Sequence, residues 1–147
     1  MRTYHLTVPL NNEIIEQLNV GDSVYLTGTI FTARDMAHYK LKKIFDNSEE
    51  FEENLQGQAI FHAGPIVHVE ADNKYSMVAI GPTSSIRMEP YSDMVGAHGV
   101  KALIGKGGMG DATTEAMRKH KMVYLVATHG CAAVHTKKVI GIEKQYW

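Results

Sequence analysis

The sequence predicts an α/β domain built around a mixed sheet. Three observations carry that expectation. Short apolar runs separated by turn residues fill the middle of the chain. From residue 81 onward loop, helix and strand alternate. In the first half Ala37, Leu41, Ile44 and Phe45, spaced at four, three and one, mark a single helix face. Pairing is expected to be antiparallel in the centre, with crossovers in the second half.

Residues 4–8 alternate moderately and predict an edge strand, after which Asn12 is placed to cap a short helix over 13–18. Gly21-Asp22 marks a turn, and Val24, Leu26 and Ile30 point one way in the strand that follows. The helix from Ala33 comes next, trailed by Glu49, Glu50, Glu52 and Glu53, which read as a solvated segment. Strands are predicted at 58–61, 66–70 and 75–80, with a turn at Gly64-Pro65 and a hairpin bend at Asp72-Asn73. Gly81-Pro82-Thr83-Ser84-Ser85 opens a helix ending near 96–99, and 102–104 is a short apolar strand. A glycine-rich loop at 105–110 leads to a helix capped by Asp111 and running through His120. Continuous apolarity makes 122–127 a buried strand, and Gly130 begins a last helix to about Lys138.

At 147 residues the chain is expected to form a single domain over 1–147. Hydrophobic residues at 44% and charged residues at 21% exclude wholesale disorder. Fifteen basic against sixteen acidic side chains leave a formal charge of -1, which argues against nucleic-acid binding through bulk charge. The longest apolar run, 122–127, is far short of the roughly 20 residues that cross a bilayer. No basic segment followed by an apolar stretch opens the chain, so no secretory signal is visible. Cys131, the single cysteine, excludes an internal disulfide and cannot by itself hold an iron–sulfur cluster. The expectation is a soluble, cytoplasmic domain.

Three strand-to-helix loops share a basic residue beside a helix start: Thr32-Ala33-Arg34-Asp35, Gly81-Pro82-Thr83-Ser84-Ser85-Ile86-Arg87, and Gly105-Lys106-Gly107-Gly108-Met109-Gly110. Free backbone N–H groups and the helix dipole make each an anion site in principle. Loops at the carboxyl ends of strands gather at one edge of α/β sheets, where ligands bind. Arg34 and Arg87 can each grip a carboxylate through two hydrogen bonds, and Lys106 adds a point charge. The alternative is that each arginine simply pairs with a neighbour, Asp35 or Glu89, on the surface.

Two motifs fail closer tests. The 105–110 loop matches G-x-G-x-x-G, but a dinucleotide site needs an acid about twenty positions on, where Thr128-His129-Gly130 stands instead. Nor is it a Walker A loop, because Gly107 occupies the Ser/Thr position after Lys106. His129, Cys131 and His135 form an H-x-C-x3-H cluster with His62 and His68 elsewhere, which lacks the paired spacing of zinc ligands. Cys131 is expected to be a small buried side chain at the start of a close-packed helix.

At these loops the sequence resembles a known family. Gly28-Thr29-Ile30-Phe31-Thr32-Ala33-Arg34-Asp35-Met36-Ala37-His38 is similar to the G-T-I/L-x-T-x-R-D-x-x-H signature of the β subunit of iron–sulfur hydro-lyases, the class I fumarases and L(+)-tartrate dehydratases. Ala59-Ile60-Phe61-His62-Ala63-Gly64-Pro65-Ile66-Val67, Gly81-Pro82-Thr83-Ser84-Ser85-Ile86-Arg87-Met88-Glu89 and Ile104-Gly105-Lys106-Gly107-Gly108-Met109 look like the blocks that follow, in order.

The resemblance implies a "swivelling" β/β/α domain that closes over an active site carried largely by an α subunit. That α partner would supply three cysteines to a 4Fe-4S cluster whose open iron acts as Lewis acid, so this chain would hold no metal. By position, Arg34 and Arg87 correspond to substrate-carboxylate ligands, Lys106 to a further substrate ligand, and Thr83 to the proton-abstracting hydroxyl. Ser84 and Ser85 are expected to support the loop by capping. His38 and His62 are the alternatives for proton transfer, by their intrinsic titration range.

The implied activity is reversible hydration of fumarate to L-malate, with L(+)-tartrate dehydration as the alternative. A non-catalytic dicarboxylate-binding module is the alternative of another class. The expected assembly is a hetero-oligomer, or a homodimer when the chain is isolated. His129-Gly130-Cys131 stands where many members carry a Gly-Gly pair, and the Gly-Cys-Ala version is similar to the tartrate branch. Members run on for some tens of residues past the point matching Trp147, so a short form or an incomplete chain is expected.

Overall fold

The structure, a computed structural model, describes residues 1–128 and 130–147. Its elements follow the order β1 (Thr3–Thr7), α1 (Asn12–Gln17), β2 (Ser23–Thr27), β3 (Phe31–Thr32), α2 (Asp35–Asp46), β4 (Ala59–Phe61), β5 (Ile66–Val69) and β6 (Tyr75–Ala79). A 3-10 helix (Ser85–Tyr91), α3 (Ser92–Ala97), β7 (Ala102–Gly105), α4 (Asp111–His120), β8 (Val123–Val126) and α5 (Ala132–Lys138) complete the chain.

Both senses of pairing expected from the sequence are present, divided among separate sheets. A four-stranded sheet runs β3-β4-β7-β8 with every pair parallel, β1 pairs parallel to β2, and β5-β6 form an antiparallel hairpin. The parallel strands read Ala-Ile-Phe, Ala-Leu-Ile-Gly and Val-Tyr-Leu-Val in β4, β7 and β8. Such continuous apolarity suits the burial of β4 and β7, whereas β8, expected to be a buried strand, lies at the sheet edge and is only partly buried, with Val126 65% exposed.

Alternation along those strands divides the core in two. Ile60 and Leu103 join Ala33, Leu55, Val95, Val100 and Met122, against Ala37 and Phe45 of α2, Met94 of α3 and Met117 of α4. Ala59 and Ala102 face the other way, against Val8, Leu10 and Ile15, with Leu6 of β1 and Leu26 of β2 packed alongside. The layers are therefore the small β1-β2 sheet, the parallel sheet and the helices, a β/β/α order.

Several boundaries shift for identifiable reasons. Asn11, not Asn12, caps α1, its side-chain oxygen accepting from Ile14 N–H at 2.9 Å. The strand expected to reach Ile30 breaks after Thr27 at Gly28, and the chain resumes in a different sheet as β3. The helix expected after Gly81 starts as a 3-10 helix with Pro90 inside it, and turns α-helical only at Ser92. The last helix begins at Ala132 rather than Gly130. Part of the acidic run is not merely solvated, because Lys144 lies 2.7 Å from Glu52 and 3.3 Å from Glu53, and Tyr146 donates to Glu53. No helix among the described residues is long and apolar enough to cross a membrane.

Candidate active site

The parallel sheet sends its strand ends to one edge. β3 runs into Ala33 and Arg34, β4 into His62, and β7 into Lys106. Thr32 sits beside Phe61 and Phe61 beside Ile104, so these exits are neighbours in space. The 81–87 segment returns to the same edge. Ala63 bridges Pro82, Ser84 bridges Lys106, and Thr83 N–H donates to the His62 carbonyl at 2.8 Å.

Side chains tie the segments together. Arg87 Nη2 donates to Thr83 Oγ1 at 3.1 Å and lies 3.2 Å from Asp35 Oδ2, in the first turn of α2. Arg34, at the N-cap of α2, crosses Gly64 so closely that a Cβ there would stand 2.5 Å from its Cδ and 3.0 Å from its Nη1. Arg34, Thr83, Arg87 and Lys106, drawn from three stretches of sequence, thus share one edge of the sheet. Among the described residues neither Arg34 nor Lys106 forms an ion pair.

The surface-pairing alternative is half realised. Arg87 does pair with Asp35, with both side chains about half exposed. Glu89 pairs with neither arginine; its carboxylate accepts from Gly110 N–H at 2.5 Å, where α4 begins. The N-terminus of α4 therefore already holds the chain's own anion, which corrects the expectation of a free helix-dipole site after the glycine-rich loop.

Beneath this edge lies a buried polar floor. His38 Nδ1–H donates to the Arg34 carbonyl at 2.9 Å, and the ring stacks on Tyr91 and meets His62 edge-on. His62 Nδ1 and Ser85 Oγ are 2.8 Å apart, while His62 Nε2 is buried with no hydrogen-bond partner among the described residues. Burial, reinforced by the charge His38 would carry, depresses the His62 pKa to about 4. Burial lowers that of His38 too, against the opposing pull of the Arg34 carbonyl and of Asp35. Two neutral, buried rings support the loops from below.

Ser84 and Ser85 make no capping hydrogen bond, contrary to expectation. Ser85 is instead fully buried, accepting from Lys106 N–H at 3.2 Å beside Gly105. The approach is so tight that a Cβ on Gly105 would fall 1.7 Å from Ser85 Oγ and 3.0 Å from Tyr124 Oη. Sequence reasoning missed Tyr124, hidden in an apolar strand, and the true partner of Glu89.

Of the H-x-C-x3-H cluster, the structure describes Cys131 and His135. Cys131 is partly exposed rather than buried, His135 Nε2–H donates to the Thr128 carbonyl, and His129 lies outside the described residues. No group of three or more His, Cys, Asp or Glu among the described residues is arranged to hold a metal ion. A 4Fe-4S cluster requires several thiolates and the chain has one cysteine, so the residues present do not fit that group. Two concavities lie at the opposite edge, where the chain enters β4 and β7: one lined by Leu10, Gln56 and Lys101, the other by Phe45, Leu55 and His98.

Residues 2–145 match the family described as Fumarase C-terminus, and the chain belongs to it. Within that family it is similar to proteins named as L(+)-tartrate dehydratase β subunits and to one named as a class I fumarate hydratase. It is 41% identical over 143 residues to the L(+)-tartrate dehydratase subunit beta of Escherichia coli (strain K12), covering 97% of this chain and 69% of the relative. It is 38% identical over 143 residues to a Geobacillus stearothermophilus protein provisionally named fumarate hydratase class I, covering 97% of this chain and 27% of that one. A Methanocaldococcus jannaschii protein provisionally named L(+)-tartrate dehydratase subunit beta is 35% identical over 139 residues, covering 94% and 71%.

Proposed function

We propose that this chain is the β subunit of a cytoplasmic two-subunit hydro-lyase that hydrates fumarate to L-malate and reverses the reaction. The observation that carries the reading is the gathering of Arg34, Thr83, Arg87 and Lys106 on one sheet edge from loops far apart in sequence. Three cations suit a four-carbon dianion: the arginines take one carboxylate each in a two-point grip, and Lys106 adds charge. Removing a proton from the carbon next to a carboxylate builds enolate-like charge, which fixed cations stabilise. Thr83 is the proposed proton-abstracting group. Its oxygen accepts from Arg87, an orientation that favours the alkoxide over the neutral hydroxyl.

The Arg87–Asp35 pair is compatible with this role. An exposed ion pair of this kind contributes about 0.2–1 kcal/mol, so a substrate carboxylate displaces Asp35 at small cost. In this proposal the 4Fe-4S cluster belongs to an α subunit, a reading supported by the single cysteine of this chain, too few thiolates for such a cluster. Relatives named as subunit beta support such a partner. Tartrate is the second reading, favoured by the 41% identity to a tartrate dehydratase β subunit.

Anaerobic co-expression with the α subunit, followed by assays on fumarate and on L(+)-tartrate, tests the proposal. Hydratase or dehydratase turnover that appears only in the complex is the expected result. A complex inactive on both, or a β chain that binds dicarboxylate with no α partner, points to the non-catalytic module.

A further inference from the structure

The Lys106 loop is open on its outer side. Gly107 adopts a left-handed φ of +77°, and a Cβ at Gly107 or Gly108 would meet nothing within 4 Å. A basic side chain on a loop of this kind has a wide range of positions unless the backbone around it is fixed. The backbone at 106 and 107 is fixed from one side only. Ser85 Oγ accepts from Lys106 N–H at 3.2 Å, Ser85 N–H donates to the Lys106 carbonyl at 3.1 Å, and Tyr124 Oη donates to the Gly107 carbonyl at 2.9 Å. Ser85 is itself held by His62 Nδ1 at 2.8 Å, and its hydroxyl and the Tyr124 phenol both abut Gly105.

We infer that Tyr124, acting with Ser85, is a positioning residue that fixes the Lys106 loop for binding the dicarboxylate substrate. Tyr124 lies on β8, an element the substrate loops do not include, so its phenol acts from outside the site and through the loop backbone. The fixed loop places one cation where a carboxylate will arrive, and the ordering cost is met during folding rather than on binding. This inference rests on the reading of Lys106 as a substrate-contacting residue.

The test is a double-mutant cycle on the assembled α–β complex, read as the dissociation constant of succinate, a non-reacting four-carbon dicarboxylate. Tyr124→Phe removes one oxygen and is expected to weaken succinate about fivefold in the wild-type background, and less than twofold in a Lys106→Met background. Equal effects in both backgrounds, or an effect below twofold in the wild type, overturn the inference. Lys106→Met with unchanged succinate binding overturns the parent reading instead, a separate and recognisable result. Where Tyr124→Phe does not assemble, Ser85→Ala in the same two backgrounds gives the same cycle, judged by the same factors.

Discussion

Arg87 donates to the hydroxyl of Thr83 at 3.1 Å while the same nitrogen lies 3.2 Å from the Asp35 carboxylate. One planar guanidinium thus spans two loops and still has donors to spare for a ligand. A lysine ammonium has a shorter, non-planar reach and cannot reproduce a two-point grip. Arg87→Lys is expected to lower turnover of the α–β complex by about tenfold or more with assembly intact. Initial rates and gel filtration on the same preparation check it, and wild-type rates would remove Arg87 from the site.

Asp35 competes for the group the substrate needs. Its pair with Arg87 is exposed and of the weak class, about 0.2–1 kcal/mol. Asp35→Asn keeps the shape and removes the charge, so the KM for the dicarboxylate is expected to fall by up to about fivefold. The substitution also deletes an acid from the first turn of α2, at a cost of about 0.3–1 kcal/mol in stability. A lowered KM with a slightly lowered Tm is the combined signature; a raised KM would mean that Asp35 orients Arg87 rather than competing for it.

What the sequence disclosed, and what it hid, divides along physical lines. Continuous apolarity disclosed β4, β7 and β8, and a helix-period face disclosed α2, because burial imposes those patterns locally. The break after Thr27 was invisible, since an apolar Ile30 continues the alternation while Gly28 turns the chain into another sheet. The basic loops stood out by composition, yet the capture of Gly110 N–H by Glu89 did not, because it joins residues 21 apart. Tyr124 gives no local sign at all. Within an apolar run its ring reads as packing, and only the three-dimensional fold brings its hydroxyl to Gly107.

Gly64 and Gly105 make opposite predictions from the same kind of crowding. A Cβ at Gly64 meets the side chain of Arg34, which is long and exposed and can swing away. Gly64→Ala is therefore expected to leave the urea midpoint nearly unchanged while weakening dicarboxylate binding in the complex. A Cβ at Gly105 meets Ser85, which is fully buried and held on two sides. Gly105→Ala is expected to cost about 1–3 kcal/mol in urea unfolding, as overpacking of a buried site does. The reverse ranking, with Gly64→Ala the more destabilising, would show that Arg34 is held rigidly rather than draped.

Stability should depend on pH through the buried histidines beneath the site. The native His62 ring stays neutral down to about pH 4, whereas in the unfolded chain it takes up a proton near its ordinary value of 6.5. The unfolded state therefore binds more protons between these limits, and folding stability falls as pH is lowered from about 6.5 to about 4. Taken alone, this one ring accounts for about 3 kcal/mol across that window. His38, lowered chiefly by burial, adds a contribution of the same sign. The carboxylates held below their ordinary values, Asp22, Asp72, Asp93 and Glu53, start from 3.8 or 4.5 and lose their pairing at lower pH, outside most of the window. Urea titrations of the isolated chain at pH 7.5, 6.0 and 5.0 should show a midpoint that declines steadily below 6.5, and His62→Gln should flatten that decline. A midpoint that is flat down to pH 5 would mean that the ring reaches solvent and is not buried as the fold requires.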